Sequence, residues 1–231
     1  MTAKLVEDPV FRERMLVFRD REHAGRLLAE KLRKYNDNKK VILLALPAGG
    51  VPIGYEVAKN LGISMDVAVV RKVQIPWNPE AGFGAITWDG EMVLNEPLVK
   101  QLNLTKKDIE ESISKSKQNI QNRLIKFRGD KPIPILKGKV VIVVDDGLAS
   151  GFTMLAAAKS IRKGAPAKII AAVPTGSMGA IKLLSPEVDE IVCLNIRAGP
   201  AFAVADAYQV WYDLTDEEVI KILKKAEKLE D

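Results

Sequence analysis

The 231-residue chain has one cysteine and one histidine. Cys193 has no second cysteine to join, so an intrachain disulfide is excluded and a reducing, cytoplasmic setting is expected. With His23 as the only imidazole, the usual Cys/His zinc cluster cannot be built within one chain, and a Ser-His-Asp hydrolase would rest on that one residue. Aromatic residues make up only 6% of the chain, too few to suggest a base-stacking platform for nucleic acid. No apolar run approaches the ~18 residues of a membrane span. The opening stretch MTAKLVEDPVFRER has no apolar segment behind its basic residue, so no secretory signal is expected. Two common phosphate motifs are missing as well. There is no GxxxxGK(S/T), and Gly49-Gly50-Val51-Pro52-Ile53-Gly54 does not fit GxGxxG.

What the chain does have is a folded composition: 47% hydrophobic and 28% charged residues, enough for a sizeable core. The net charge of +5 is uneven. Residues 97–139 hold 11 basic and 4 acidic side chains, a local +7. Such a lysine excess can attract phosphate-bearing partners, but a solvated helix face is the favoured reading here.

Along the chain, helical spacing of Ala24, Leu27, Leu28, Leu32 and Tyr35 predicts a helix over 20–35 with Asp20 as N-cap. Val41 to Leu46 is an unbroken apolar run, the mark of a strand covered on both faces in a parallel sheet. It stops at Pro47-Ala48-Gly49-Gly50, and a helix resumes near Pro52 and ends at Gly62. Asp66 to Val70 reads as the next strand, closing on Arg71-Lys72 and completing a βαβ unit. Residues 73–90, with Pro76, Trp77, Pro79, Gly82 and Gly84, read as a loop with a short strand near Ala85-Ile86-Thr87. A long helix is predicted over about 105–127, with Thr105 and Asp108 as a capping box and Ile109, Ile113, Ile120, Leu124 and Phe127 as its apolar stripe. Strands follow at 140–144, 168–173 and 190–194, with a helix over 153–163 and a last helix capped by Thr215 and Glu218. The expected fold is α/β: a doubly wound parallel sheet in one domain, 1–231, carrying an inserted long helix and a small C-terminal hood and helix over about 197–231.

Ligands bind at the carboxyl ends of the strands in such sheets. Four predicted strand ends carry unusual residues: 47–50, 71–72, 145–146 and 174–177. The richest is Asp145-Asp146-Gly147-Leu148-Ala149-Ser150-Gly151-Phe152-Thr153 after the run Val140 to Val144. A small-residue turn between strand and helix presents backbone N–H groups and the positive end of a helix dipole, which together cradle a phosphate. Two adjacent carboxylates are costly to ionise together and suit a ligand with vicinal hydroxyls such as a ribose. An ordinary βα turn capped by aspartates is the competing account.

The stretch from Val141 to Thr153 resembles the phosphoribosyl-pyrophosphate (PRPP) motif of type I phosphoribosyltransferases. The chain is also similar to a group of predicted phosphoribosyltransferases with PAGGVPIG-like and NPEAGFGAI stretches. The resemblance spans roughly residues 20–220. It implies a transferase of the glycosyltransferase class that moves a phosphoribosyl group to a nitrogenous acceptor and releases pyrophosphate, with a place in nucleotide metabolism. Asp145 and Asp146 would hold the ribose hydroxyls, and Ala149, Ser150, Gly151, Phe152 and Thr153 the 5-phosphate. Ala48, Gly49 and Gly50 would meet the pyrophosphate through their backbone, by way of a cis peptide. Lys72, with Arg71 second, would neutralise the leaving charge, and residues 73–84 would close as a lid. Mg2+ would arrive on PRPP, with no direct protein ligand set. A homodimer, no membrane and no nucleic acid are the expected associations. A non-catalytic PRPP sensor that binds nucleic acid through the basic helix is the alternative.

Overall fold

The computed structural model describes residues 2–199 and 201–229. In chain order the elements are β1 (Lys4–Glu7), α1 (Arg21–Lys31), β2 (Val41–Ala45), α2 (Gly50–Leu61), β3 (Ser64–Val67), β4 (Val70–Ile75), β5 (Asn78–Thr87), β6 (Met92–Leu94), α3 (Glu96–Gln101), α4 (Lys106–Arg128), β7 (Val140–Val144), α5 (Phe152–Lys163), β8 (Lys168–Ser177), α6 (Met178–Leu184), β9 (Glu190–Arg197) and α7 (Asp216–Glu227). Six strands form a parallel sheet in the order β1-β9-β8-β7-β2-β3, while β4, β5 and β6 form a separate antiparallel sheet. Among the described residues no helix is long and apolar enough to cross a membrane.

The continuous apolar runs of the strands are explained by burial on both faces. Leu43, Ala45, Ile142, Val144, Ile170 and Ala172 pack with Leu28, Val57 and Val219 from α1, α2 and α7. The intervening residues Ile42, Leu44, Val141, Val143, Ile169 and Ala171 pack with Leu155, Ile161 and Ile181 from α5 and α6. Each fully buried aliphatic side chain contributes roughly 1.5–3 kcal/mol. Helix starts follow the caps read from sequence. Asp20 accepts from the His23 N–H at 2.7 Å, and Thr105 with Asp108 and Thr215 with Glu218 close reciprocal capping boxes. The predicted long helix is α4, displaced by one residue at each end.

Other expectations need correction. The region 73–90 is not a structureless loop: β4 and β5 form an antiparallel hairpin with Trp77 at its tip, 63% exposed. Val73 and Ile75 point inward and Gln74 outward, a period of two that the flanking prolines and glycines mask. Two register shifts at Gln74 accommodate the irregular sequence around Pro79. The strand expected over 66–70 ends at Val67, so Arg71-Lys72 lies inside β4 rather than at an end of the parallel sheet. The helix predicted to Tyr35 gives way after Lys31 to a 3-10 turn over Arg33–Tyr35. Likewise β8 and β9 run on to Ser177 and Arg197, and β1, α3 and α6 were not expected. Of the predicted 197–231 segment, Pro200, Glu230 and Asp231 lie outside the described residues.

At the sheet edge opposite the carboxyl ends, Glu190 is 1% exposed and accepts hydrogen bonds from Lys34 Nζ and Lys168 Nζ, each at 2.6 Å. Burial alone would raise this carboxyl, but the two ammonium groups outweigh it and hold it below the ordinary glutamate value. Its stabilising effect is therefore present above about pH 4.3 and fades as the pH falls through the depressed value. Glu190→Gln is expected to cost about 1–3 kcal/mol at pH 7. Urea unfolding should show that loss at pH 7 and a smaller one at pH 3.

Candidate active site

Sheet register brings the functional turns together. Ala45 lies beside Val144, and Val144 beside Ala172, so the chain leaves β2 and β7 at one edge next to the end of β8. A cavity of about 440 Å3 opens there, lined by Ala48, Gly49, Arg71, Lys72, Asp145 and Asp146 among others. A neighbouring cavity of about 500 Å3 shares Lys72, Asp145, Asp146, Thr153, Trp211 and Asp213. Its further wall is the turn over 147–151 and the segment Phe202 to Ala205.

The acid pair has a partner that no sequence motif announced. Arg21 donates from Nε and Nη2 to Asp146 Oδ2 at 3.1 and 3.0 Å, with side-chain exposures of 8% and 16%. Its Nη1 donates to the Tyr212 carbonyl at 2.8 Å, and its guanidinium stacks 3.9 Å from the centre of the Trp211 ring. The Tyr208 hydroxyl donates to the Asp146 carbonyl at 2.7 Å. Burial, and then the charge of Asp146, push the Asp145 carboxyl well above the usual aspartate range. Burial raises Asp146 as well, against the pull of Arg21. Arg21 thus supports the anion at Asp146 and Lys72 the anion at Asp145, in both cases against a larger cost of burial.

Of the seven helices described, five start on a side-chain cap: Asp20, Asn95, Thr105, Ser177 and Thr215. The other two, α2 and α5, start on Gly49 and Gly151 and have no side-chain cap. Both open at the cavities, but only α5 leaves its first-turn N–H groups without a backbone acceptor among the described residues; in α2 the Gly50 N–H donates to the Leu46 carbonyl at 3.0 Å and the Val51 N–H to the Ala48 carbonyl at 3.1 Å. Gly151 has φ +81°, a left-handed conformation that favours glycine. Gly49 has an ordinary φ; its constraint is space, because a Cβ there would overlap the Asp146 carboxylate. The Pro47–Ala48 peptide bond is cis.

The predicted strand end at 174–177 proves to be a support for the turn over 147–151. Leu148 N–H donates to the Thr175 carbonyl and Ser177 N–H to the Leu148 carbonyl, both at 2.9 Å, and the Ser177 hydroxyl donates to the Ala149 carbonyl at 2.7 Å. The Phe152 ring packs on the apolar cluster under α5, leaving its backbone at the helix start. Lys72, exposed on β4, is fixed from behind, where the Ser116 hydroxyl of α4 donates to its carbonyl at 3.1 Å. His23 serves the α1 start: its Nδ1 accepts from the Arg19 N–H at 3.1 Å. Tyr208 is core, Tyr212 is half exposed, and Phe202 and Trp211 border the cavities. Sequence reading therefore missed Arg21, Arg123 and Asp213. The only local sign for Arg21 is a cation in the first turn of a helix, against the dipole. Among the described residues no group of three or more His, Cys, Asp or Glu side chains is placed to hold a metal.

The family model for the phosphoribosyl transferase domain matches residues 89–205. Two strains of Mycobacterium tuberculosis have a protein provisionally named a phosphoribosyl transferase that is 38% identical over 216 residues, covering 93% of this chain and 48% of the relative. The chain thus spans about half the length of the curated relatives it matches. The crystal structure of the Thermus thermophilus protein TT1426 is similar at TM-score 0.72 and 35% identity, covering 91% of this chain and 99% of that one.

A raised Asp145 makes the folded state bind more protons than the unfolded one, so stability should fall as the pH rises from about 4 through the raised value. Asp145→Asn removes that burden and is expected to raise the thermal midpoint at pH 8 by about 2–4 °C. The gain should disappear near pH 4 in differential scanning calorimetry.

Proposed function

The chain belongs to the phosphoribosyl transferase domain family, and from that membership we propose that it transfers the phosphoribosyl group of PRPP to a nitrogenous acceptor, with a nucleobase as the first candidate. In this reading the chain acts as one catalytic domain, and pyrophosphate is released. The supporting observation is that the open first turn of α5 and the Pro47-Ala48-Gly49 turn before α2 lie at adjoining cavities that share the part-buried Asp145-Asp146 pair. That spacing suits one molecule with phosphate at both ends and a sugar diol between them.

Each residue then has a part. Amides of Ala149 to Thr153, with the hydroxyls of Ser150 and Thr153, take the 5-phosphate. Asp145 and Asp146 accept from the ribose hydroxyls, Asp146 held in position by Arg21. The backbone of Ala48 and Gly49 meets the diphosphate, with Lys72 beside it and Arg71 next; Gly50, expected there as well, spends its N–H on the Leu46 carbonyl and does not line the cavity. As the anomeric C–O bond breaks, its electron pair leaves on the diphosphate while the acceptor nitrogen forms the new C–N bond and gives up its proton. Fixed amides and Lys72 stabilise the departing negative charge without reorganising. Mg2+ suits this donor set, because it favours one or two carboxylates plus substrate phosphates over an all-protein cage. Bound with PRPP, it would supply further charge neutralisation at the diphosphate. The β4–β5 hairpin, in place of the expected loop, stands where a cover over the reactants is needed to keep water from the ribosyl cation.

The sensor alternative draws on the +7 stretch. Much of that charge is engaged within the protein: Lys106 with Glu110, Lys107 with Glu111, Arg123 and Lys126 with Asp216, and Arg128 with Asp66. This favours the transferase reading. Incubation with PRPP, Mg2+ and a panel of bases should release pyrophosphate. Asp145→Asn and Asp146→Asn are each expected to lower kcat/KM for PRPP more than about tenfold, the value of a lost charge-assisted hydrogen bond. PRPP binding without pyrophosphate release, together with a salt-dependent shift on DNA or RNA, would transfer support to the sensor.

A further inference from the structure

Only one face of α4 packs, and Arg123, on that face with Ile120 and Phe127, also lines the 440 Å3 cavity together with Arg71 of β4. Successive strand residues point to opposite faces, and the pair Arg71-Lys72 divides accordingly. Lys72 borders both cavities and acts on Asp145, whereas Arg71 borders only the first and lies within electrostatic range of Arg123. Among the described residues the Arg71 guanidinium makes no hydrogen bond or ion pair. Burial and then the Arg123 charge disfavour its protonated form, with Asp216 working the other way. Arg123 is itself 18% exposed and reaches Asp216 Oδ1 only at 3.4 Å, while Lys126 takes the other oxygen at 2.7 Å. Two guanidinium groups thus approach each other on a cavity wall with one carboxylate shared among three cations. That arrangement is unfavourable when empty and favourable around an anion with several oxygens.

We propose that Arg123 of α4 and Arg71 of β4 form a guanidinium clamp on the distal phosphate of the diphosphate group, which makes the long helix part of the reaction site. The proposal rests on the phosphoribosyl-transfer reading. Displacement at the anomeric carbon puts acceptor and leaving group on opposite sides. The segment with Phe202 borders only the second cavity, and Ala48, Gly49 and the two arginines border only the first. The clamp therefore faces the departing group. Asp216 is its counter-ion in the absence of ligand and competes with the anion for Arg123.

The test is isothermal titration of the intact protein with inorganic pyrophosphate plus Mg2+, and separately with ribose 5-phosphate. Arg123→Gln should weaken pyrophosphate by about tenfold or more and leave ribose 5-phosphate within about twofold. Asp216→Asn, which releases Arg123, should tighten pyrophosphate by about two- to fivefold at low salt, a gain that a folding defect cannot mimic. Unchanged pyrophosphate affinity in Arg123→Gln, equal losses for both ligands, or weaker pyrophosphate binding in Asp216→Asn overturns the clamp. If both variants behave as expected while the unmodified protein releases no pyrophosphate from PRPP with any base, the clamp stands and the transfer reading fails.

Discussion

Asp145 and Asp146 sit side by side where a strand buried on both faces runs out, and the Arg21 guanidinium makes that position tenable. Water reaches the pair only through the cavities, so each carboxylate loses solvation and feels the other's charge. Arg21 answers one of them with two hydrogen bonds and leaves the second to Lys72 and to whatever fills the cavity. The geometry nearby follows from this. Gly49 has no side chain because the Asp146 carboxylate occupies that space, and Tyr208 and Trp211 pack where they brace the arginine and the carbonyl behind it.

The central sheet was legible because β2, β7 and β8 are covered on both sides and therefore read as unbroken apolar runs. The turn after β7 was legible for a related reason: acids and small residues directly after such a run have no structural purpose in a core. Caps at Asp20, Thr105 and Thr215 were read correctly since they depend on neighbours within one turn. The β4–β5 hairpin was not, because Pro76, Pro79, Gly82 and Gly84 are loop signals locally, and only pairing between strands overrides them. Arg21 and Arg123 were hidden for the same physical reason. Each lies on a helix of ordinary composition, and its role comes from contacts across 125 or 93 residues of chain, which no local pattern encodes.

The placement of charge also separates two kinds of helix start. Where a helix needs only to begin, a side-chain oxygen closes its first turn, as Thr105 does for α4 and Ser177 for α6. At α5 the first turn stays open, glycine stands at the cap, and another element must fix the chain. For the turn before α5, that element is the end of β8, whose Thr175 and Ser177 hold Leu148 and Ala149 as a strand would. Rigidity is thus supplied from outside the segment that must stay accessible.

Arg21 also ties the Asp146 carboxylate to the chain segment around residues 208–212, through the Tyr212 carbonyl and the Trp211 ring. A protein built this way cannot reshape its C-terminal aromatic wall independently of the acid pair. A substitution that re-cuts this wall therefore also shifts the Asp146 carboxylate, and on the proposed reading the fit of the incoming molecule and the grip on the pentose drift together rather than one at a time.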